Sequence, residues 1–99
     1  MIAFRRTASI APGMFSSAMA FANEIKVQVK VTTGIDLQIA LPIGGNPSRV
    51  SWLANYENLA QLDAMSVKLL SDPKYQELIK KAAGIIVPET TVDEIWRTI

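Results

Sequence analysis

Val50, Trp52, Ala54 and Tyr56 share one face of an alternating stretch, while Leu53 stands on the opposite face between Ser51 and Asn55. A strand with apolar groups on both faces needs cover on both sides, because successive side chains point to opposite sides of a sheet. The end of the chain repeats the pattern, with Val92 and Trp96 on one side and Ile95 and Ile99 on the other. Both stretches point to a sheet with one face under helices and the other docked on something else.

Turn and cap residues divide the rest of the chain. Residues 2–9 begin apolar, alternate weakly and close at Ile10-Ala11-Pro12-Gly13, which reads as a first strand. Pro12 suits the first turn of a helix, where its missing N–H is harmless. From Met14, the residues Ala18, Phe21, Ala22, Ile25 and Val29 recur at helical spacing, and Gly34 is a natural stop. Residues 25–31, Ile-Lys-Val-Gln-Val-Lys-Val, also alternate with period two and are β-branched, so strand stays open beside helix there. Ile35, Leu37, Ile39 and Leu41 mark a half-buried strand over 35–41 whose apolar set faces the helices. Gly44-Gly45-Asn46-Pro47 then turns the chain into the strand at 49–56. Asn58 caps a helix carrying Leu59, Leu62, Met65 and Leu69. Asp72-Pro73 restarts it with Tyr75, Leu78, Ile79 and Ala82 buried, and Gly84 ends it. A last strand spans 90–99. The order strand, helix, strand, strand, helix, strand is the ferredoxin-like βαββαβ pattern, an α+β fold with an antiparallel four-stranded sheet and helices on one face.

Composition bounds the chemistry. The 99 residues fit one domain, 1–99, and 49% of them are hydrophobic, an excess for so short a chain that a second copy would cover. With no cysteine there is no disulfide, thiolate nucleophile or Cys-type zinc site; with no histidine there is no Ser-His-Asp triad and no His-ligated haem or zinc. The nine carboxylates are scattered and never take calcium-loop spacing, so neither a metal nor another cofactor is expected. Residues 1–50 hold five basic and two acidic groups, residues 51–99 five and seven. Basic residues cluster no further than Arg5-Arg6 and Lys80-Lys81, which is no nucleic-acid footprint.

Residues 1–22 imitate an export leader, with Arg5-Arg6 before an apolar stretch ending in Ala20-Phe21-Ala22. The imitation is poor, because Pro12-Gly13 and Ser16-Ser17 interrupt the run. No apolar run approaches the ~18 residues that span a bilayer. A cytoplasmic protein without a membrane span is expected.

Four local patterns carry a resemblance: the Pro12-Gly13 helix start, Arg49-Val50-Ser51-Trp52, the junction Tyr56-Glu57-Asn58-Leu59, and the run Leu70-Ser71-Asp72-Pro73-Lys74-Tyr75-Gln76. Together they resemble NIPSNAP-like members of the dimeric α+β barrel superfamily, and the resemblance covers nearly the whole chain. They are caps, turns and packing aromatics, so the resemblance informs fold more than chemistry. It implies a homodimer in which two helix-free sheet faces pack as a barrel, with any pocket between sheet and helices or inside the barrel. Asn55 stands where many relatives carry an acid, which weakens any carboxylate-dependent role at that position. The haem-degrading branch uses a histidine, which this chain lacks.

The same fold serves RNA recognition, where aromatics stack bases on the helix-free face. Aligned on Arg49, the stacking positions are Ser51 and Leu53, and the glycines of the pattern are missing. Nucleic acid is therefore not an expected partner.

Trp52, Tyr56 and Trp96 are candidates for an aromatic pocket, although core and interface packing is the commoner role of such residues. Arg5 lies mid-sheet on a central strand, near Asn55 or Ser51 and Asp93 or Arg97. It either pairs with Asp93 or Asp36 to fix a dimer register or clamps an anion or carbonyl. Gln38, Ser51 and Asn55 complete a polar wall. Cofactor-free oxygenases of this fold imply a set such as Asn55, Trp52 and Arg97 around an oxygenated aromatic, but Asn55 and Trp52 have opposite parity unless a bulge intervenes. The expected function is a homodimeric binding or interaction module with a small aromatic ligand. The alternative is a cofactor-independent oxygenase or isomerase acting on a small aromatic or polyketide-like substrate.

Overall fold

In the computed structural model, which describes residues 1–99, β1 (Ile2–Ser9) and β3 (Arg49–Tyr56) pair antiparallel without a bulge, from Ile2 opposite Tyr56 to Ser9 opposite Arg49. β4 (Val92–Arg97) lines the other side of β1, and β2 (Gln38–Ala40) edges β3, giving the order β2-β3-β1-β4. Three helices, α1 (Phe15–Thr33), α2 (Leu59–Leu70) and α3 (Pro73–Lys80), complete the ferredoxin-like α+β architecture.

Parity decides which face is covered. Val50, Trp52, Ala54 and Tyr56 of β3 are buried with Ile2 and Ala8 of β1, in one cluster with Ala18, Phe21, Ala22, Ile25 and Val29 of α1. Ala18, Ala22 and Val50 have no measurable exposure, so helix and sheet touch most closely there. The small alanines permit that approach.

Residues 25–31 are helical. The helix turns Ile25 and Val29 into the core and leaves Val27 and Val31 mostly in solvent, at 62% and 73% exposure. Packing of one stripe against the sheet overrides the β preference of the valines. Gly34 ends α1 in the left-handed region (φ 78°), and its N–H bonds the Lys30 carbonyl.

Several boundaries differ from expectation. Pro12 is not in the first helical turn: it sits with Gly13 (φ 74°) in a turn, and α1 starts three residues later behind Met14, which makes no side-chain cap. β2 keeps only Gln38–Ala40 of the expected 35–41, because Leu37 leaves the sheet plane to join the core and Pro42 has no N–H to donate. α3 stops at Lys80 rather than at Gly84, and residues 81–86 form turns whose Ile86 bridges Ile10. β4 is shorter than 90–99, since its partner β1 runs only from Ile2, opposite Arg97, to Thr7, opposite Val92, within this pair. At the near end the Thr90 hydroxyl accepts from the Ser9 N–H and donates to the Val87 carbonyl.

The caps Asn58 and Asp72 behave as expected. Asn58 Oδ1 accepts from the Gln61 N–H at 2.8 Å, and Asp72 Oδ1 from the Lys74 N–H at 3.0 Å ahead of Pro73. No helix is long and apolar enough to cross a membrane.

Candidate functional site

The covered sheet face and the helices line a half-open cavity of about 290 Å³. Its walls are almost wholly apolar, with Phe21, Ile25 and Val29 from α1, Trp52 from β3, and Leu69 and Ile79 from α2 and α3. Trp52 is held in place by its indole N–H, 3.3 Å from the Ala22 carbonyl, and by an edge-to-face contact with Phe21 at 6.2 Å.

Arg6 is the one charged residue on the cavity wall. It reaches there because Arg6 lies opposite Trp52 and so shares its face. Asp93, its partner on β4, accepts from Nε at 2.7 Å and from Nη2 at 2.8 Å. Asp93 itself lines a shallower cleft beside α2 rather than the cavity. The guanidinium carbon also sits 5.6 Å from the Phe4 ring centre. The Asp93 hydrogen bonds, opposed by partial burial, hold the Arg6 pKa above its ordinary value, with the Tyr75 hydroxyl adding to the effect. Tyr56 and Tyr75 line the same cavity, and burial pushes the Tyr56 phenol up.

The opposite sheet face holds the other expected polar residues. Arg5 lies opposite Leu53 and Glu94, Thr7 opposite Ser51, and Gln38 opposite Leu53, which places Arg5, Gln38, Ser51, Asn55 and Trp96 together on the helix-free side. Arg5 Nε donates to Glu94 Oε1 at 3.0 Å, and Nη2 bonds the same oxygen. The expected partners Asp93 and Asp36 are not used, because cross-strand register sets Glu94 opposite Arg5, while Asp93 faces the other way and Asp36 pairs with Lys30 at 3.1 Å. A groove of about 460 Å³ runs over this side between Arg5, Ser51, Leu53, Arg49, Val92 and Glu94.

The structure divides the remaining aromatic set. Trp52 and Tyr56 lie under the helices, whereas Trp96, opposite Ala3, stands on the helix-free face at 61% exposure. Arg97 lies opposite Ile2 and so has the covered-face parity, at the strand end and exposed. Asn55, Trp52 and Arg97 therefore do not converge, since β3 has no bulge to turn Asn55 over.

Sequence reasoning passed over Arg6 in favour of Arg5. A signal was present: Ile2, Phe4 and Ala8 share the parity of Arg6, whereas Ala3, Thr7 and Ser9 share that of Arg5. The more apolar set marks the side beneath helices. No group of three His, Cys, Asp or Glu side chains is placed to hold a metal ion.

A four-stranded sheet with helices on one face and an apolar cup between the layers defines a ferredoxin-like α+β protein. Within that class, its fold is that of solved NIPSNAP-family proteins. A NIPSNAP domain protein from Burkholderia xenovorans superposes with a TM-score of 0.85 at 15% identity, over 100% of this chain and 95% of that one. A NIPSNAP family protein from Agrobacterium tumefaciens gives 0.82 at 20% identity, over 99% and 92%. A protein from Nitrosomonas europaea described as a putative antibiotic biosynthesis monooxygenase gives 0.75 at 14% identity, over 100% and 99%. At these identities the likeness is one of fold. No family model and no curated protein matches the sequence.

Proposed function

We propose that this chain is a homodimeric binding module of NIPSNAP-like type that takes a small, largely apolar ligand in the cavity between sheet and helices. The observation that carries this reading is the cavity itself: about 290 Å³, near the lower end of small-molecule sites, apolar on nearly all sides and with one arginine and two phenols converging in it. Such a wall supplies contact area for an aromatic or alicyclic body and a few donors to orient it.

In this reading the second copy docks on the helix-free sheet face. That face mixes Leu53, Val92 and Trp96 with Arg5, Glu94, Gln38, Ser51 and Asn55, and most of these are partly or fully exposed. The polar residues would then line the space between two sheets, where the Arg5–Glu94 pair helps set register. Residues 1–99 act as one domain, because β1 and β4 from opposite ends of the sequence pair directly. A cytoplasmic location belongs to the same proposal; residues 1–22 hold the central strand β1 and the first part of α1.

The test is a thermal-shift screen with aromatic acids, ketones and quinones, repeated on Ala82→Trp, which fills the cavity from its wall. Ligands that raise the melting temperature of the wild type and not of the variant support the reading. A screen without any shift overturns it.

A second reading is favoured by the description of the Nitrosomonas europaea neighbour. The same cavity would then house cofactor-independent oxygenation or isomerisation of a small aromatic or polyketide-like compound. Oxygen uptake on mixing with a ligand found in the screen, lost in Ala82→Trp, separates this reading from simple binding.

A further inference from the structure

We propose that the cavity selects its ligand by an uncharged, carbonyl-type oxygen and discriminates against carboxylates of the same size. The proposal rests on the ligand-binding reading of this cavity and specifies the head group it accepts.

Arg6 is a donor only, and the other polar groups on the wall, Tyr56, Tyr75 and Thr91, are hydroxyls that can donate or accept. Arg6 has five N–H groups and no acceptor, and Asp93 takes up two of them from the neighbouring cleft, leaving three. Tyr56 and Tyr75 add two phenolic O–H groups, and burial pushes the Tyr56 phenol pKa up. No carboxylate or carboxamide lines the cavity, so a ligand with donors only finds just the Tyr56, Tyr75 and Thr91 hydroxyls to receive them and has nothing to offer Arg6. An acceptor oxygen is the complement of this set.

Charge distinguishes among acceptors. The fork-to-fork contact with Asp93 makes Arg6 and its partner neutral as a unit. A carboxylate entering the cavity would bring an uncompensated negative charge against apolar walls, at the expense of its hydration. A ketone, aldehyde or quinone oxygen can accept from Arg6 and the phenols without that penalty. Asp93 therefore acts from outside the cavity, as a positioning and neutralising residue that sets what the Arg6 side chain can bind.

The experiment compares 2-ethylnaphthalene, 2-acetylnaphthalene and 2-naphthoate, three probes of matched shape, by titration at pH 7 against wild type and Asp93→Asn. The wild type is expected to bind 2-acetylnaphthalene about tenfold more tightly than 2-ethylnaphthalene, and at least about tenfold more tightly than 2-naphthoate. Freeing the Arg6 charge in Asp93→Asn is expected to raise 2-naphthoate affinity about tenfold while leaving 2-acetylnaphthalene nearly unchanged. Equal binding of the ethyl and acetyl probes, or wild-type affinity for naphthoate matching the ketone, overturns the head-group proposal and leaves the pocket reading intact. Binding of none of the three overturns both. The wild-type comparison decides the matter even if the variant fails to fold.

Discussion

The guanidinium of Arg6 and the carboxylate of Asp93 meet fork to fork across β1 and β4 on the covered face, while their chain neighbours Arg5 and Glu94 meet on the other. One sheet thus carries two ion pairs back to back. Both Arg6 and Asp93 are about 40% exposed, so solvent screens much of the attraction. A double-mutant cycle with Arg6→Met and Asp93→Asn, read by urea denaturation, is expected to give a coupling of about 0.5–1 kcal/mol. A coupling of zero would mean that the contact adds nothing to stability and serves only to orient the guanidinium.

Asp72 ties α3 to α1. Its carboxylate accepts from the Thr32 hydroxyl and from Gln28 Nε2 at 3.0 Å, and it caps α3 through the Lys74 N–H. These bonds, the Thr32 hydroxyl first, hold its pKa below the ordinary aspartate value. A folded-state pKa lowered in this way gives stability that is fully present above the unfolded value, about pH 4, and lost as pH falls through the folded value. Chemical denaturation from pH 6 to about pH 2.5 should show a shallower acid loss for Asp72→Asn than for the wild type. Parallel pH curves would remove Asp72 from the acid response.

Close approach of α1 to the sheet leaves no room at Ala22, which has no measurable exposure and whose carbonyl receives the Trp52 indole N–H. Ala22→Leu is expected to destabilise by about 1–3 kcal/mol through overpacking. Val50→Ala, at the fully buried position on β3, should lose about 2 kcal/mol through lost burial and a residual cavity. Calorimetric melting of both variants measures the effects. Losses under about 0.5 kcal/mol would show a looser layer than the structure describes.

Leu53 stands at the middle of the helix-free face, opposite Arg5 on one side and Gln38 on the other. If two copies pack there, Leu53→Glu places a charge in the contact and should yield a monomer with unchanged circular dichroism. Sedimentation velocity at micromolar concentration makes the comparison. A wild type that sediments as a monomer excludes the face-to-face dimer.

Much of the fold was legible because its signals are local. The bounds of β1 and β3 were read from alternation, and both caps from single residues, Asn58 and Asp72, whose side chains bond backbone groups two or three positions away. Residues 25–31 were ambiguous because Ile25 and Val29 continue the helical spacing, while Ile25, Val27, Val29 and Val31 alternate with period two. The choice fell to helix when the sheet offered a surface to Ile25 and Val29 alone. β2 was overread for a related reason: Leu37 is as apolar inside a core as in a strand, and alternation does not distinguish the two.

The candidate site was legible only in its ingredients. Composition excluded histidine and cysteine chemistry outright, and parity along β3 assigned Trp52 and Tyr56 to one face and Ser51 and Asn55 to the other. Alternation within a strand is an intrinsic property of extended backbone, so it survives into the folded state. Pairing between strands is not. That Asp93 answers Arg6, that Glu94 answers Arg5, and that Tyr75 on α3 comes beside Arg6 depend on register between segments about 70 to 90 residues apart. A slip of one residue would leave one of the two arginines opposite an apolar residue, Ile95 or Val92, and move Asp93 to the helix-free face. The packing of the whole core selects the register, and with it which carboxylate answers the arginine on the cavity wall.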